Sequence, residues 1–86
     1  MFLIAHRGNI TGKNPEKENE PSYILDAINK GFDVEIDVWY VNNTFFLGHD
    51  NPQHEVDIEF LSIDKIWCHA KNIEALYEMI RYNSIH

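Results

Sequence analysis

The most constraining feature of the chain is the alternation of acidic and β-branched residues over positions 33–38. Successive side chains of a β-strand point to opposite faces, so this pattern predicts a strand with Asp33, Glu35 and Asp37 on one face and three aliphatic residues on the other. Two interpretations of the acidic face are open. It is either the solvated side of a half-buried strand or a divalent-cation site, because carboxylates two residues apart stand about 7 Å apart and can converge on one cation that prefers oxygen ligands.

Length and cysteine content limit what the chain forms. Its 86 residues make at most one small domain, and such a chain buries only about 60% of its unfolded surface. Cys68 has no second cysteine, which excludes an internal disulfide and a zinc site built on cysteine pairs and favours a reducing compartment. The apolar N-terminal residues stop at His6, and no run approaches the roughly 18 residues of a membrane span. We therefore expect a cytoplasmic protein without a membrane span.

The charge of the chain restricts its partners. Seven Lys and Arg stand against fourteen Asp and Glu, a formal net charge of −7. Nucleic acids and anionic membranes need basic surfaces, so neither is expected to bind. A phosphate-bearing substrate is compatible with this charge only where a bound cation or a local Arg or Lys reverses the field.

Apolar periodicity and turn residues predict the order of the elements. We expect a fully buried first strand, the acidic strand, a hairpin partner for it and a later buried strand, over residues 2–5, 33–41, 44–48 and 64–70. We expect helices over residues 21–30 and after the N-cap Asn72, and one helical turn over 59–61. Residues 9–19 and 51–58 are predicted loops, and Asn42-Asn43 a turn.

The last helix is predicted to bury one apolar stripe. Ile73, Leu76, Tyr77 and Ile80 recur at the i, i+3, i+4 and i+7 spacing of one helix face.

The element order is that of an α/β fold with parallel strands and a short hairpin insertion after the second strand. Three parallel strands with two helices cannot close a barrel that takes eight strands and roughly 250 residues. We therefore expect an open sheet, either as part of a larger α/β unit or with an edge that self-associates.

Four short motifs follow one another in the first fifty residues: His6-Arg7-Gly8, Glu18-Asn19, Glu35-Ile36-Asp37 and His49-Asp50. In this order they resemble the N-terminal half of the glycerophosphodiester phosphodiesterase family, over about residues 4–50. That family's pattern is His-Arg-Gly, then Pro-Glu-Asn-Thr opening a helix, then Glu-x-Asp after a Gly, then a hairpin ending in His-Asp.

The chain departs from the family pattern at several positions, among them the spacing from Gly31 to Glu35, which is one residue shorter than in the family. Lys17 stands before Glu18-Asn19 where the family has Pro, and Pro21 follows Glu20 where the family has Thr. The family's further acidic metal ligand often lies in a Glu-x-Lys strand, and the nearest segment here is His69-Ala70-Lys71.

The resemblance implies a partial TIM-type (β/α) barrel, with residues 1–86 as the N-terminal portion of one domain. It implies hydrolysis of glycerophosphodiesters to an alcohol and glycerol 3-phosphate with Mg²⁺ or Ca²⁺, a reaction of lipid metabolism. Glu35 and Asp37 would hold the cation, and His69 would be a further ligand.

The remaining implied roles concern the substrate. His6 and His49, whose ordinary pKa lies near 6.5, would divide the acid and base work near neutral pH. Arg7 would contact the phosphoryl oxygens with its planar donors, and Lys71 would contact the phosphate as a point charge.

Each of these residues also has a purely structural interpretation. Taken alone, His6 is more typical of a strand tip, His49 of a turn and His69 of a core or edge position than of a functional site. Arg7 is as typical of surface charge as of a phosphate contact. It is their occurrence with Glu35 and Asp37, in order, that favours a functional site.

Glu18, Asn19 and Lys71 are further from the chemistry. Glu18 and Asn19 are expected to cap a helix or orient a neighbouring side chain rather than contact substrate. Lys71 is as typical of a solvated lysine as of a phosphate contact.

Two other functions fit the same motifs. A lipid phosphodiesterase of the phospholipase D-like toxin or phosphoinositide type also places paired His around a metal in a barrel, and releases a cyclic phosphate. A non-catalytic or remnant domain would bind metal or phosphate without turnover. The sequence does not distinguish these, nor does it identify the alcohol, the cation or the oligomeric state.

Overall fold

The computed structural model describes residues 3–86, so Phe2, which we placed in the first strand, lies outside the described residues. Within residues 3–86 the elements are β1 (Ile4–His6), α1 (Pro21–Asn29), β2 (Asp33–Val41), β3 (Thr44–Leu47), β4 (His54–Val56), α2 (Ile58–Leu61), β5 (Ile66–Ala70) and α3 (Ile73–Ile80).

The acidic strand β2 is the centre of a mixed, open sheet. β1 and β5 pair with it in parallel, β3 pairs antiparallel with its C-terminal half, and β4 pairs antiparallel with β3. The predicted parallel α/β arrangement with a hairpin after the second strand is confirmed at this level. The loop predicted over residues 51–58 is wrong in part, because β4 lies within it; Val56 pairs with Phe45 there and packs at the border of the core.

The two faces of β2 differ as the alternation predicts. Val34, Ile36 and Val38 are all 0% exposed and belong to one core cluster with buried residues of α1 and α3. Glu35 and Asp37 lie on the opposite face because side chains alternate along a strand. The two long helices therefore cover one face of the sheet and leave the acidic face free of them.

Local sequence determines where the elements begin and end. Pro21 occupies the first turn of α1, where its missing N–H costs nothing, and Gly31 follows the helix end at φ +94°. Asn42 and Asn43 both have positive φ, which confirms the predicted turn. The Asn72 side chain accepts a hydrogen bond from the Ala75 N–H and so caps α3 as predicted.

The predicted buried stripe of α3 is wrong. Its four apolar residues are between 51% and 80% exposed, and the helix instead buries Ala75 and Met79. The physical reason is close approach, because the small Ala75 side chain lets the helix backbone lie near β2.

β1 is not the fully buried strand that we predicted. Leu3 and Ile4 are 52% and 47% exposed, and only Ala5 enters the core. Ile4 lies on the sheet face that the helices do not cover, and Leu3 precedes the strand. Within residues 3–86, no helix has the length and apolar character needed to cross a membrane.

Candidate active site at the ends of β1 and β2

The C-terminal end of β1 delivers His6 beside Glu35. The two residues are register partners across the parallel pair β1–β2. His6 Nδ1 lies 3.3 Å from Glu35 Oε1, and the two side chains are 70% and 45% exposed. This imidazole–carboxylate pair is therefore accessible to a ligand from solvent.

The carboxylate of Asp37 is the centre of the site. Its Oδ2 atom lies 2.9 Å from Arg7 Nε and 3.5 Å from His49 Nδ1, and it accepts a hydrogen bond of 3.0 Å from Asn19 Nδ2. The Asp37 side chain is only 6% exposed. Three residues from separate segments therefore contact one largely buried carboxylate on β2.

Asn19 forms hydrogen bonds with both the side chain and the backbone of Asp37. Besides donating to the carboxylate, it accepts a hydrogen bond of 2.9 Å from the Asp37 backbone N–H through Oδ1. Asn19 is 0% exposed and has a left-handed φ of 64°, a conformation that Asn adopts more readily than most residues.

Glu18 holds the guanidinium of Arg7. Arg7 Nη1 donates to Glu18 Oε1 at 3.0 Å, and Asn9 Nδ2 donates to Glu18 Oε2 at 3.1 Å. Burial alone would raise the pKa of the Glu18 carboxyl, but its hydrogen bonds with Asn9 and Arg7 and the Arg7 charge outweigh burial and lower that pKa. Glu18 is therefore held in its ionised form, which keeps Arg7 in place.

The predicted orienting role of Glu18 and Asn19 is confirmed, since they fix Arg7 and Asp37. Neither caps α1. The N-cap of that helix is Glu20, which makes no side-chain capping hydrogen bond.

A left-handed turn directs Arg7 back over β2. Arg7 and Gly8 have φ values of 57° and 90°. A Cβ atom at Gly8 would lie 2.8 Å from the ring of Tyr23, so this position accepts only glycine without movement of α1. In the His-Arg-Gly motif, His6 thus ends the strand, Arg7 supplies the polar group, and the turn at Arg7 and Gly8 directs that group toward β2.

The two ring nitrogens of His49 face Arg7 and Asp37. Its Nε2 atom lies 3.5 Å from Arg7 Nη2, which is always a donor, and its Nδ1 atom faces the Asp37 carboxylate, which accepts. Its Nε2 atom also lies 3.8 Å from Asp50 Oδ1. The ring therefore lies between one guanidinium group and two carboxylates.

His69 and Lys71 are less closely joined to this group. His69 is the register partner of Asp37 on β5 and is exposed, but within residues 3–86 its side chain makes no hydrogen bond with either carboxylate. The Lys71 backbone N–H donates to the Val38 carbonyl at 2.8 Å, and its side chain forms no ion pair with a described residue.

The donor set of Glu35 and Asp37 fits a hard cation in kind. Both supply carboxylate oxygens on one strand face, although one Asp37 oxygen is already shared by three donors. Among residues 3–86, no three His, Cys, Asp or Glu side chains come together as a metal-holding group. Mg²⁺ is commonly bound by one or two carboxylates together with water and substrate phosphate, and Glu35 and Asp37 match that donor set in kind.

Sequence reasoning missed three residues that support the site. Tyr23 Oη donates to Asn9 Oδ1 at 3.0 Å, which orients the Asn9 amide toward Glu18. Trp39 Nε1 donates to the Gly48 carbonyl at 2.7 Å, next to His49. The position of Asn9 directly after His-Arg-Gly was the one available signal, whereas nothing in the spacing identified Tyr23 or Trp39.

Comparisons of the chain with protein-family models, with curated proteins and with solved structures each find no match. The fold and the site geometry define a mixed α/β protein with His, Arg, Glu and Asp side chains clustered where β1 ends beside the middle of β2.

Proposed function

We propose that the chain carries the acid–base half of a metal-dependent phosphodiester hydrolase that cleaves glycerophosphodiesters to an alcohol and glycerol 3-phosphate. The observation that carries this proposal is that Arg7 and His49 both contact the Asp37 carboxylate. The accessible His6–Glu35 pair lies beside them, two residues earlier on β2. The resemblance of the four motifs to the glycerophosphodiester phosphodiesterase family supports the substrate class.

The reaction needs three things from the protein. A phosphodiester is an anion with a poor alkoxide leaving group, so its charge must be offset, a water oxygen must be deprotonated as it bonds to phosphorus, and the departing oxygen must be protonated. Arg7 Nη1 and Nε are held by Glu18 and Asp37, and Nη2, which also lies 3.5 Å from His49 Nε2, would contact the phosphoryl oxygens. His6 and His49 divide the two proton transfers.

Mg²⁺ or Ca²⁺, held by Glu35 and Asp37 and in the family pattern by a third ligand at the position of His69, would neutralise phosphoryl charge when bound. Lys71 would add a point charge at the same strand ends. We further propose that the open sheet is one segment of a TIM-type (β/α) barrel. The exposed stripe of α3 and the acidic sheet face without helices support this, because neighbouring βα units cover such surfaces.

The test is hydrolysis of bis(p-nitrophenyl) phosphate and of a glycerophosphodiester, with and without Mg²⁺ or Ca²⁺. We expect turnover only with the cation, and a loss of at least about a hundredfold in kcat for His6→Ala and for His49→Ala. Glu35→Gln should raise the cation concentration needed for half-maximal rate. His54→Ala is the matched control, since His54 lies on the outer strand β4 away from the carboxylates.

Two outcomes would contradict the proposal. If His6→Ala and Glu35→Gln each retained the wild-type rate, the residues would not be catalytic. If ³¹P NMR found a cyclic phosphate as the product, the reaction would be the transfer to a neighbouring hydroxyl typical of the phospholipase D-like toxin and phosphoinositide enzymes.

A second candidate is a non-catalytic domain that binds metal or phosphate. It is favoured by one observation: Arg7 and Asn19 already hold the Asp37 carboxylate, which leaves that group less free to act on a substrate. This alternative predicts cation binding by calorimetry without turnover. It also predicts association through a free sheet edge, which size-exclusion chromatography would detect as a dimer or larger species.

A further inference from the structure

The position of His49 requires an explanation. Its side chain is 44% exposed, and its contacts with Asp37 and Arg7 are each 3.5 Å long. Contacts of this length are too weak to hold an imidazole in one place. The backbone that carries His49 must therefore determine where the ring lies.

That backbone is fixed at Gly48 by two residues of β2. The Gly48 N–H donates to the Asp37 carbonyl at 3.1 Å. The Gly48 carbonyl accepts from the indole N–H of Trp39 at 2.7 Å, the shorter of the two bonds. Both backbone polar groups of Gly48, the residue before His49, are thus bonded to residues two apart on the strand that carries Glu35 and Asp37.

The loop after Gly48 leaves little room for adjustment. A Cβ atom at Gly48 would lie 1.9 Å from the Asn51 carbonyl oxygen, so the loop folds directly over this glycine. The Gln53 N–H closes the loop with a 2.9 Å hydrogen bond to the Leu47 carbonyl. A rotation of the Gly48 peptide would therefore carry His49 with it, and Trp39 is the side chain that opposes this rotation.

We propose that Trp39 is a positioning residue that sets His49 against Asp37 through the Gly48 carbonyl. The proposal rests on the proposed function for its catalytic consequence, but not for its structural one. Trp39→Phe keeps an aromatic ring and removes the single N–H donor. The Gly48 carbonyl then loses its partner, and the His49 ring is no longer held over the carboxylate.

The structural test is NMR of the His49 ring in the wild type, Trp39→Phe and Trp67→Phe. Trp67 is the matched control, because its indole N–H also bonds, to Asp33 Oδ2 at 2.9 Å, at the opposite end of β2. We expect the His49 ring signals to move toward unstructured histidine values in Trp39→Phe only. Unchanged His49 signals in Trp39→Phe, or equal shifts in both variants, would overturn the proposal.

A measurement on the wild type covers the case in which Trp39→Phe does not fold. The Trp39 indole N–H should exchange with solvent at least about tenfold more slowly than that of Trp67, whose side chain is 45% exposed. Exchange of the Trp39 indole at the rate of free tryptophan would mean that the bond to Gly48 does not persist, and the proposal would fail.

Activity separates this proposal from the proposed function. If the wild type hydrolyses a phosphodiester, Trp39→Phe should lower kcat about tenfold and change KM less than twofold, because positioning affects proton transfer more than binding. A reduction confined to KM would overturn the proposal. If the wild type has no activity, the proposed function fails, and the His49 signals still decide whether Trp39 positions the ring.

Discussion

Replacing Asn19 with alanine tests whether the site is held together by buried hydrogen bonds. The substitution removes the donor to the Asp37 carboxylate, at 3.0 Å, and the acceptor for the Asp37 N–H, at 2.9 Å. A hydrogen bond to a charged group contributes about 1.5–3 kcal/mol and a neutral one about 1 kcal/mol. Asn19 also has φ 64°, which alanine adopts at a cost of about 1 kcal/mol.

The expected loss of unfolding free energy for Asn19→Ala is about 3–5 kcal/mol. This is a large part of the total for 86 residues, which is about 4–13 kcal/mol at ordinary values per residue. Asn43→Ala is the matched control, because Asn43 has φ 62° in an exposed turn and reports the backbone cost by itself. We expect it to lose about 1 kcal/mol.

The assay is urea unfolding at neutral pH followed by far-UV circular dichroism, with the two variants compared with the wild type. The quantity that decides is the difference between the variants, which should be about 2–4 kcal/mol. Equal losses in Asn19→Ala and Asn43→Ala would show that the two buried bonds contribute nothing net, and the reasoning about the Asp37 centre would be refuted.

Three further predictions follow from burial and charge. The pKa of Glu18 is lowered from its ordinary value of 4.5, so its ionised form stabilises the fold above pH 4.5. This contribution is lost as the pH falls through the lowered pKa. Glu18→Gln should therefore flatten the acid limb of a curve of unfolding free energy against pH. Burial raises the pKa of the Cys68 thiol to about 12, so a disulfide reagent should label folded protein near pH 8 far more slowly than urea-unfolded protein, and equal rates would contradict this. Met79→Ala should lower the unfolding free energy by about 2–3 kcal/mol, and Ile80→Ala by less than about 0.5 kcal/mol. The reason is that Met79 is 8% exposed and Ile80 is 72% exposed. A larger loss for Ile80→Ala than for Met79→Ala would mean that α3 buries its predicted stripe.

Local chemistry in the sequence was sufficient for most element bounds. The alternation over residues 33–38 predicted the start of β2 and its two faces, and the Asn42-Asn43 turn predicted its end. Pro21, Gly31 and Asn72 marked helix ends that the structure confirms. These signals are readable because each acts within one element, through strand alternation, backbone conformation or a cap.

The order of four motifs predicted that His6, Arg7, Glu35, Asp37 and His49 lie close together, but it did not predict how they are joined. His69 and Lys71, which were predicted at the same site, make no side-chain contact with the carboxylates among the described residues. That Asp37 rather than Glu35 is the buried centre depends on Asn19 and Arg7 reaching it from another segment. The support of Gly48 by Trp39 likewise depends on how the hairpin folds back on β2.

The sequence by itself determined most of the elements, the two-faced strand and the candidate site residues. Only the tertiary structure decided which apolar residues are buried. Periodicity in α3 identifies an apolar stripe but not the surface it meets, so Ala75 and Met79 entered the core while the stripe remained exposed. The reason is physical: an apolar pattern records that a face can be buried, whereas burial itself requires a neighbouring element in contact with that face.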